Sequence, residues 1–177
     1  NKLFTTTVGL IYQGQSGSPY SLVYSGDING DNGTSNDLIF IPTDAQVDQM
    51  QFLGTDAYTA EQQRANLKQW LATTRYVKDH RGEYFERYGD NLPFESHFDF
   101  HFGQKFGIRT GKYVHALELT LDIMNVANLL NKDWGRTFSS GYNSEFVSPI
   151  TYKGDGVFQF ANPSDMPLKY PSSYYSR

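Results

Sequence analysis

The chain has 177 residues, 38% of them hydrophobic, and a formal net charge of −4, which suits a single domain and does not suggest the basic surface of a polyanion binder. No apolar stretch approaches the ~18 residues of a membrane helix, although membrane β-strands escape that test because only alternate residues meet lipid. The lack of cysteine removes disulfides and thiolate metal sites, while aromatics at 16% suit either a membrane girdle or a sugar-binding sheet.

Residues 3–13 read as a strand, with Phe4, Val8, Leu10 and Tyr12 on one parity and Thr5, Thr7 and Gly9 on the other. A Gly/Ser break follows, then a short extended segment from Pro19 to Ser25. Next comes the acidic loop from Asp27 to Asp37, and after it the apolar run Leu38 to Pro42. The spacing predicts one helix over 59–73: Thr59 with Gln62 three residues on is a capping box, and Ala60, Leu67, Trp70 and Leu71 form a narrow apolar stripe. Such a helix is expected to lie on a loop surface. A mixed-charge stretch then leads to the most regular part of the chain.

From Glu95 to Val126 the sequence alternates strictly. Phe98, Phe100, Phe102 and Phe106 oppose His97, Asp99, His101 and Lys105; further on, Leu117, Leu119, Leu121 and Ile123 oppose Ala116, Glu118, Thr120 and Asp122. This predicts a β-hairpin with strands over 94–107 and 113–126, turning near 108–112, with an apolar and a polar face. Both arms reach the ~9–11 residues that a tilted strand needs to cross a bilayer, more than the roughly 5–6 of a typical soluble strand. Pairing both apolar sets on one face while avoiding Asp99 against Asp122 sets His101 opposite Glu118, His97 opposite Asp122 and Asp99 opposite Thr120, with Ile108 to Gly111 as the loop. After Val126 the chain is rich in Tyr, Ser, Asn, Gly and Pro, interrupted by a short strand V-F-Q-F, and S-S-Y-Y-S-R at the end suggests a further strand. The connections are asymmetric: one short turn between long loops over 14–93 and 127–171. Short inner turns and long outer loops are the habit of outer-membrane barrels. The expected fold is therefore all-β: an antiparallel transmembrane β-barrel fragment with long extracellular loops and one loop helix.

Four segments in order, G-Q-S-G-S-P-Y-S from Gly14, D-I-N-G-D-N-G with N-D-L-I-F-I-P from Asp27, H-R-G-E-Y-F-E-R from His80 and D-I-M-N-V-A-N-L-L-N-K-D-W-G from Asp122, are similar to the C-terminal end of TonB-dependent outer-membrane receptors. The nearest group is the Oar-like receptors of Bacteroidetes, with SusC-like receptors as relatives. The resemblance implies a barrel of about 22 strands closed by an N-terminal plug. It also implies import of a bulky nutrient such as an oligosaccharide or peptide, energised by a TonB-ExbB-ExbD complex through the N-terminal part. A SusD-like surface lipoprotein and lipid or lipopolysaccharide are further implied partners, the cell outer membrane the implied location, and no enzymatic activity or nucleic acid is implied. On this reading residues 1–177 are the C-terminal part of a single barrel domain, cut at both ends, with plug and terminal strand absent. The alternative is a soluble β-sandwich carbohydrate-binding module stabilised by calcium.

Asp27, Asn29, Asp31 and Asp37 resemble an EF-hand-type Ca²⁺ loop, because a hard cation takes several oxygens from alternating Asp and Asn on a tight turn. The match is imperfect: Asn32 stands where Gly is expected and Leu38 where Glu is expected. Self-capping Asx turns are the competing use of those side chains. His97, Asp99 and His101 do not make a metal site, since side chains two apart on one strand face sit about 7 Å apart. Glu83, Glu86 and Asp90 lie among arginines and read as a solvated loop rather than paired catalytic carboxylates. Trp134, Tyr142, Tyr152 and Tyr170 are candidate ligand-contact residues in the second outer loop, against a role in packing that loop.

Overall fold

The structure, a computed structural model, describes residues 4–138 and 146–160. In chain order the elements are β1 (Phe4–Gln15), β2 (Pro19–Ser25), α1 (Asp44–Gln49), β3 (Gln51–Phe52), α2 (Ala60–Thr73), α3 (Arg75–Asp79) and β4 (Asp90–Asn91). They continue with β5 (Glu95–Thr110), β6 (Tyr113–Ile123), a 3-10 turn at Val126–Leu129, β7 (Phe146–Tyr152) and β8 (Val157–Phe160). Strand outweighs helix among the described residues, no helix among them is long and apolar enough to cross a membrane, and neither sheet closes into a barrel. They fall into two compact units: 4–16 with 94–137, and 17–93 with 138 and 146–160.

The first unit is the antiparallel sheet β1-β5-β6. The period-two pattern sets its faces as expected: Tyr12 pairs with Phe98, Leu10 with Phe100, Val8 with Phe102 and Phe4 with Phe106, while Phe100, Phe102 and Phe106 face Ile123, Leu121 and Leu117. The register, however, corrects the expected one by four residues. His101 stands opposite Asp122, Gly103 opposite Thr120 and Lys105 opposite Glu118. The loop is not Ile108 to Gly111 but the two residues between the pair Thr110 and Tyr113. Gly111 takes φ +62 at the first of these, the place where a II′ connection needs glycine. Excluding like-charge pairs left several registers of the same parity, and the turn chose among them. The outcome gives both His101 and Lys105 an acidic neighbour. Asp99, carried past the end of β6, accepts the Asn125 N–H at 2.7 Å instead.

The second unit corrects the expectation that 14–93 is loop carrying one helix. It holds a five-stranded sheet, β3-β8-β7-β2-β4, three helices and its own core. The sheet is mixed rather than antiparallel, with β2 parallel to β7 and β3 parallel to β8. β2 is buried along Tyr20 to Tyr24, so it shows no alternation, as a strand covered on both faces should not. Around it pack Ile39, Ile41, Leu67, Leu71, Val77, Phe85, Ile150 and Phe160. The helix α2 has the predicted box, Thr59 and Gln62 capping each other, yet it is a core element: Leu67 and Leu71 are fully buried and Trp70 nearly so. Buried Gln63 donates its amide N–H to Leu53 O at 2.7 Å and accepts the Phe160 N–H at 2.9 Å, tying α2 to the residue after β3 and to β8. Helix α1 repeats the same capping box, Thr43 with Gln46.

Tyr20 links β2 to β4, donating to Asp90 Oδ2 at 2.9 Å, while Arg75 binds Asp90 Oδ1 at 2.9 Å. Burial first, and the Asp90 charge second, push the Tyr20 phenol well above its ordinary 10.0. A group whose folded value is raised contributes stability that is complete below its unfolded value and is lost as pH rises toward the folded one. The second unit is therefore expected to lose stability above about pH 10. Tyr24 and Tyr76, also raised by desolvation, act in the same direction. Unfolding followed from pH 9 upward should show this loss, with Tyr20→Phe flattening it; a Phe variant as alkali-sensitive as the parent would contradict the assignment.

Candidate functional site

In the first unit the sheet itself is the candidate. Phe4, Val8, Leu10, Leu117, Leu119 and Leu121 are all more than half exposed. From Phe98 to Ile108 the apolar parity of β5 runs about 33 Å along the strand, and a tilt of about 35–45° would project this to about 23–27 Å, the height of the apolar band of an outer-membrane barrel. Aromatics bracket it: Tyr113 at the turn end, with the Lys112 ammonium 5.5 Å from its ring, and Tyr12 against Phe98 at 4.8 Å, the rings tilted, at the other end. Polar side chains interrupt the face at Thr6 and Gln104, which satisfy each other at 2.6 Å, and at His115, opposite Ile108. The opposite face carries Thr5, Thr7, Gln13, His97, His101, Lys105, Glu118 and Asp122. There His101 Nδ1 lies 2.6 Å from Asp122 Oδ1. Among the described residues no group of three or more His, Cys, Asp or Glu is placed to hold a metal.

Beyond β6 a braced loop follows. Asn125 adopts φ +53 and sends its amide to Gly135 O at 3.0 Å; Asn128 binds Lys132 O and Trp134 O at 3.0 and 3.1 Å. A Cβ on Gly135 would meet the Asn125 amide at 1.9 Å, so only glycine fits. These contacts explain the segment N-V-A-N-L-L-N-K-D-W-G, and they hold Trp134 about half exposed. Arg136 is paired with Asp133 on the same loop.

In the second unit the Asp27–Asp37 loop is closed by Tyr24 N on Asp37 O at 2.8 Å and Gly26 N on Thr34 O at 2.7 Å. Asp27 Oδ1 accepts from the N–H groups of Gly30 and Asp31, and its Oδ2 from that of Asn32. Asp31 accepts from Gly33 N and from the amides of Asn29 and Asn36. The Gly33 N–H, then the Asn29 amide, hold the Asp31 carboxyl below its ordinary 3.8. The carboxylates are thus used as Asx-turn acceptors, the competing reading of the sequence. The Asn29 amide nitrogen sits between Asp31 Oδ2 at 3.1 Å and Asp37 Oδ1 at 2.6 Å. The Asn29 Oδ1 in turn accepts the Asp31 N–H at 2.8 Å, so the network fixes the amide with its nitrogen toward the two carboxylates.

The four aromatic candidates do not form a described surface. Tyr152 packs, 5.4 Å from Phe158, which in turn lies 6.0 Å from Tyr24; Trp134 belongs to the other unit. Tyr142 and Tyr170 lie outside the described residues, as does the terminal S-S-Y-Y-S-R. Sequence reasoning missed the Tyr20–Asp90–Arg75 linkage, whose members are distant in the chain and carry no shared motif. Comparisons with protein-family models, with curated proteins and with solved structures return no match.

Proposed function

We propose that this chain is the C-terminal part of a TonB-dependent outer-membrane transporter, without enzymatic activity, importing a bulky nutrient such as an oligosaccharide or peptide. One observation carries the reading: a sheet of strands 11 to 16 residues long, exposed along a leucine- and phenylalanine-rich face that aromatics bracket, and polar on the other. In water that face is a large uncovered apolar patch, whereas in lipid it is a barrel wall. The motif resemblance and the loop asymmetry support the same reading. The remaining barrel and plug then flank this sheet, TonB-ExbB-ExbD act through the N-terminal part, and a SusD-like lipoprotein covers the outer side. On the same reading the loops over 14–93 and 127–171 are extracellular. The test is detergent dependence: the chain should stay monodisperse only in detergent or lipid, and a chain monodisperse in buffer alone would favour a soluble carbohydrate-binding module. The separate core of the second unit is what supports that alternative.

Calcium serves either reading as a brace for the 27–37 loop. Millimolar Ca²⁺ is expected to protect this loop from protease and Asp31→Ala to abolish the protection. Equal cleavage in Ca²⁺ and in EDTA would remove the site. Because the Asp31 value is lowered in the fold, its contribution to loop order is present above the ordinary carboxylate range and fades as pH falls through the depressed value.

A further inference from the structure

The apolar face of the first unit ends, away from the Gly111–Lys112 turn, in a cleft of about 400 Å³. Leu10 and Phe98 from the sheet and Ala127, Leu129, Leu130 and Trp134 from the braced loop line it, and the lining presents no polar surface. Its volume falls within the roughly 300–1,000 Å³ of small-molecule sites, but a site that fixes a polar ligand supplies a few polar groups and this one supplies none. Hydrocarbon is the chemistry it fits. The loop that walls it is held in place by the Asn125 and Asn128 amides, so the cleft exists before any occupant arrives. On the same loop stand exposed Lys132 and the Asp133–Arg136 pair, which leaves one net positive charge beside an apolar opening and an indole. Indoles sit where apolar and wet environments meet, and ammonium groups bind phosphate as point charges.

We propose that this cleft holds one acyl chain of a phosphate-bearing membrane lipid, with Lys132 at the headgroup. The proposal rests on the outer-membrane reading and names a lipid partner and its position. The cleft is continuous with the sheet face that would meet hydrocarbon, and the loop places a cation and Trp134 at the end of that face, where headgroups begin.

The chain contains two tryptophans, and Trp70 is 4% exposed in the core of the other unit, so a quencher carried on an alkyl chain reports on Trp134. The full chain would be held in phosphatidylcholine–detergent micelles and titrated with dodecyl phosphate brominated along its chain. A parallel titration uses brominated dodecyl maltoside, which has the same chain and a neutral head. Saturable quenching is expected, tighter for the phosphate by about fivefold, the effect of one nearby cation. Lys132→Ala should erase the difference between the two heads. Ala127→Phe, which fills the cleft, should abolish saturation for both, and Trp134→Phe should abolish the signal. Quenching that rises linearly with probe, or equal affinity for both heads in parent and Lys132→Ala, overturns the proposal while leaving the membrane reading intact. A chain monodisperse in buffer without detergent overturns both.

Discussion

Lys in place of Phe102 is expected to cost about 2–4 kcal/mol of stability in a bilayer, the range for a cation on the lipid face of a barrel near the midplane. Phe102 is the right position because the observed register places it between Val8 and Leu121, near the middle of the apolar stretch that runs from Phe98 to Ile108. The sign of the effect is as informative as its size. If the face met water, exchanging a partly exposed phenylalanine for lysine would improve solubility and cost little. Thr120→Lys, on the polar face of β6 opposite Gly103, is the control and should cost much less. Denaturant unfolding of each variant in detergent–lipid micelles measures both. Equal costs at the two positions would sink the assignment of the apolar face to lipid.

A second large effect belongs to the other unit. Phe85→Ala is expected to destabilise it by about 3–5 kcal/mol, as large-to-small changes of buried aromatics do. Phe85 is 1% exposed, with the rings of Tyr20 and Tyr76 at 6.1 and 4.5 Å, and its N–H binds Ile39 O at 2.8 Å. Its removal leaves a cavity where β2, the Leu38–Pro42 run and α3 converge. Tyr84, the preceding residue, is 68% exposed, and Tyr84→Ala should change stability by no more than about 0.5 kcal/mol. Resistance to limited proteolysis across a denaturant series gives both numbers. Indistinguishable variants would mean that 17–93 lacks the core described above and behaves as an open loop.

The sequence of H-R-G-E-Y-F-E-R gave no hint of this difference between neighbours, and the reason is general to the second unit. Its buried elements are either covered on both faces, such as β2, or too short to display a period, such as the two-residue β3 and β4. Neither alternation nor helical spacing survives in such segments. Parallel pairing of β2 with β7 also joins residues more than a hundred positions apart, which no local pattern announces. The same holds for Asp90, whose partners Tyr20 and Arg75 come from two other elements.

Local physics did determine the rest. A period of two fixes which side chains of β1, β5 and β6 share a face, because successive residues of a strand leave on opposite sides. Thr59 and Gln62 fix where α2 begins, because a capping box is made within four residues. The acidic loop, too, satisfies itself among neighbours in the chain, so its Asx turns were legible. Only the tertiary structure decided the hairpin register, the cleft beneath Trp134 and the core of the second unit. Parity limits a register without choosing it, and the choice fell to a Gly111 turn that brings His101 to Asp122. The cleft and the core are volumes between residues distant in sequence, and a volume exists only once the chain has folded around it.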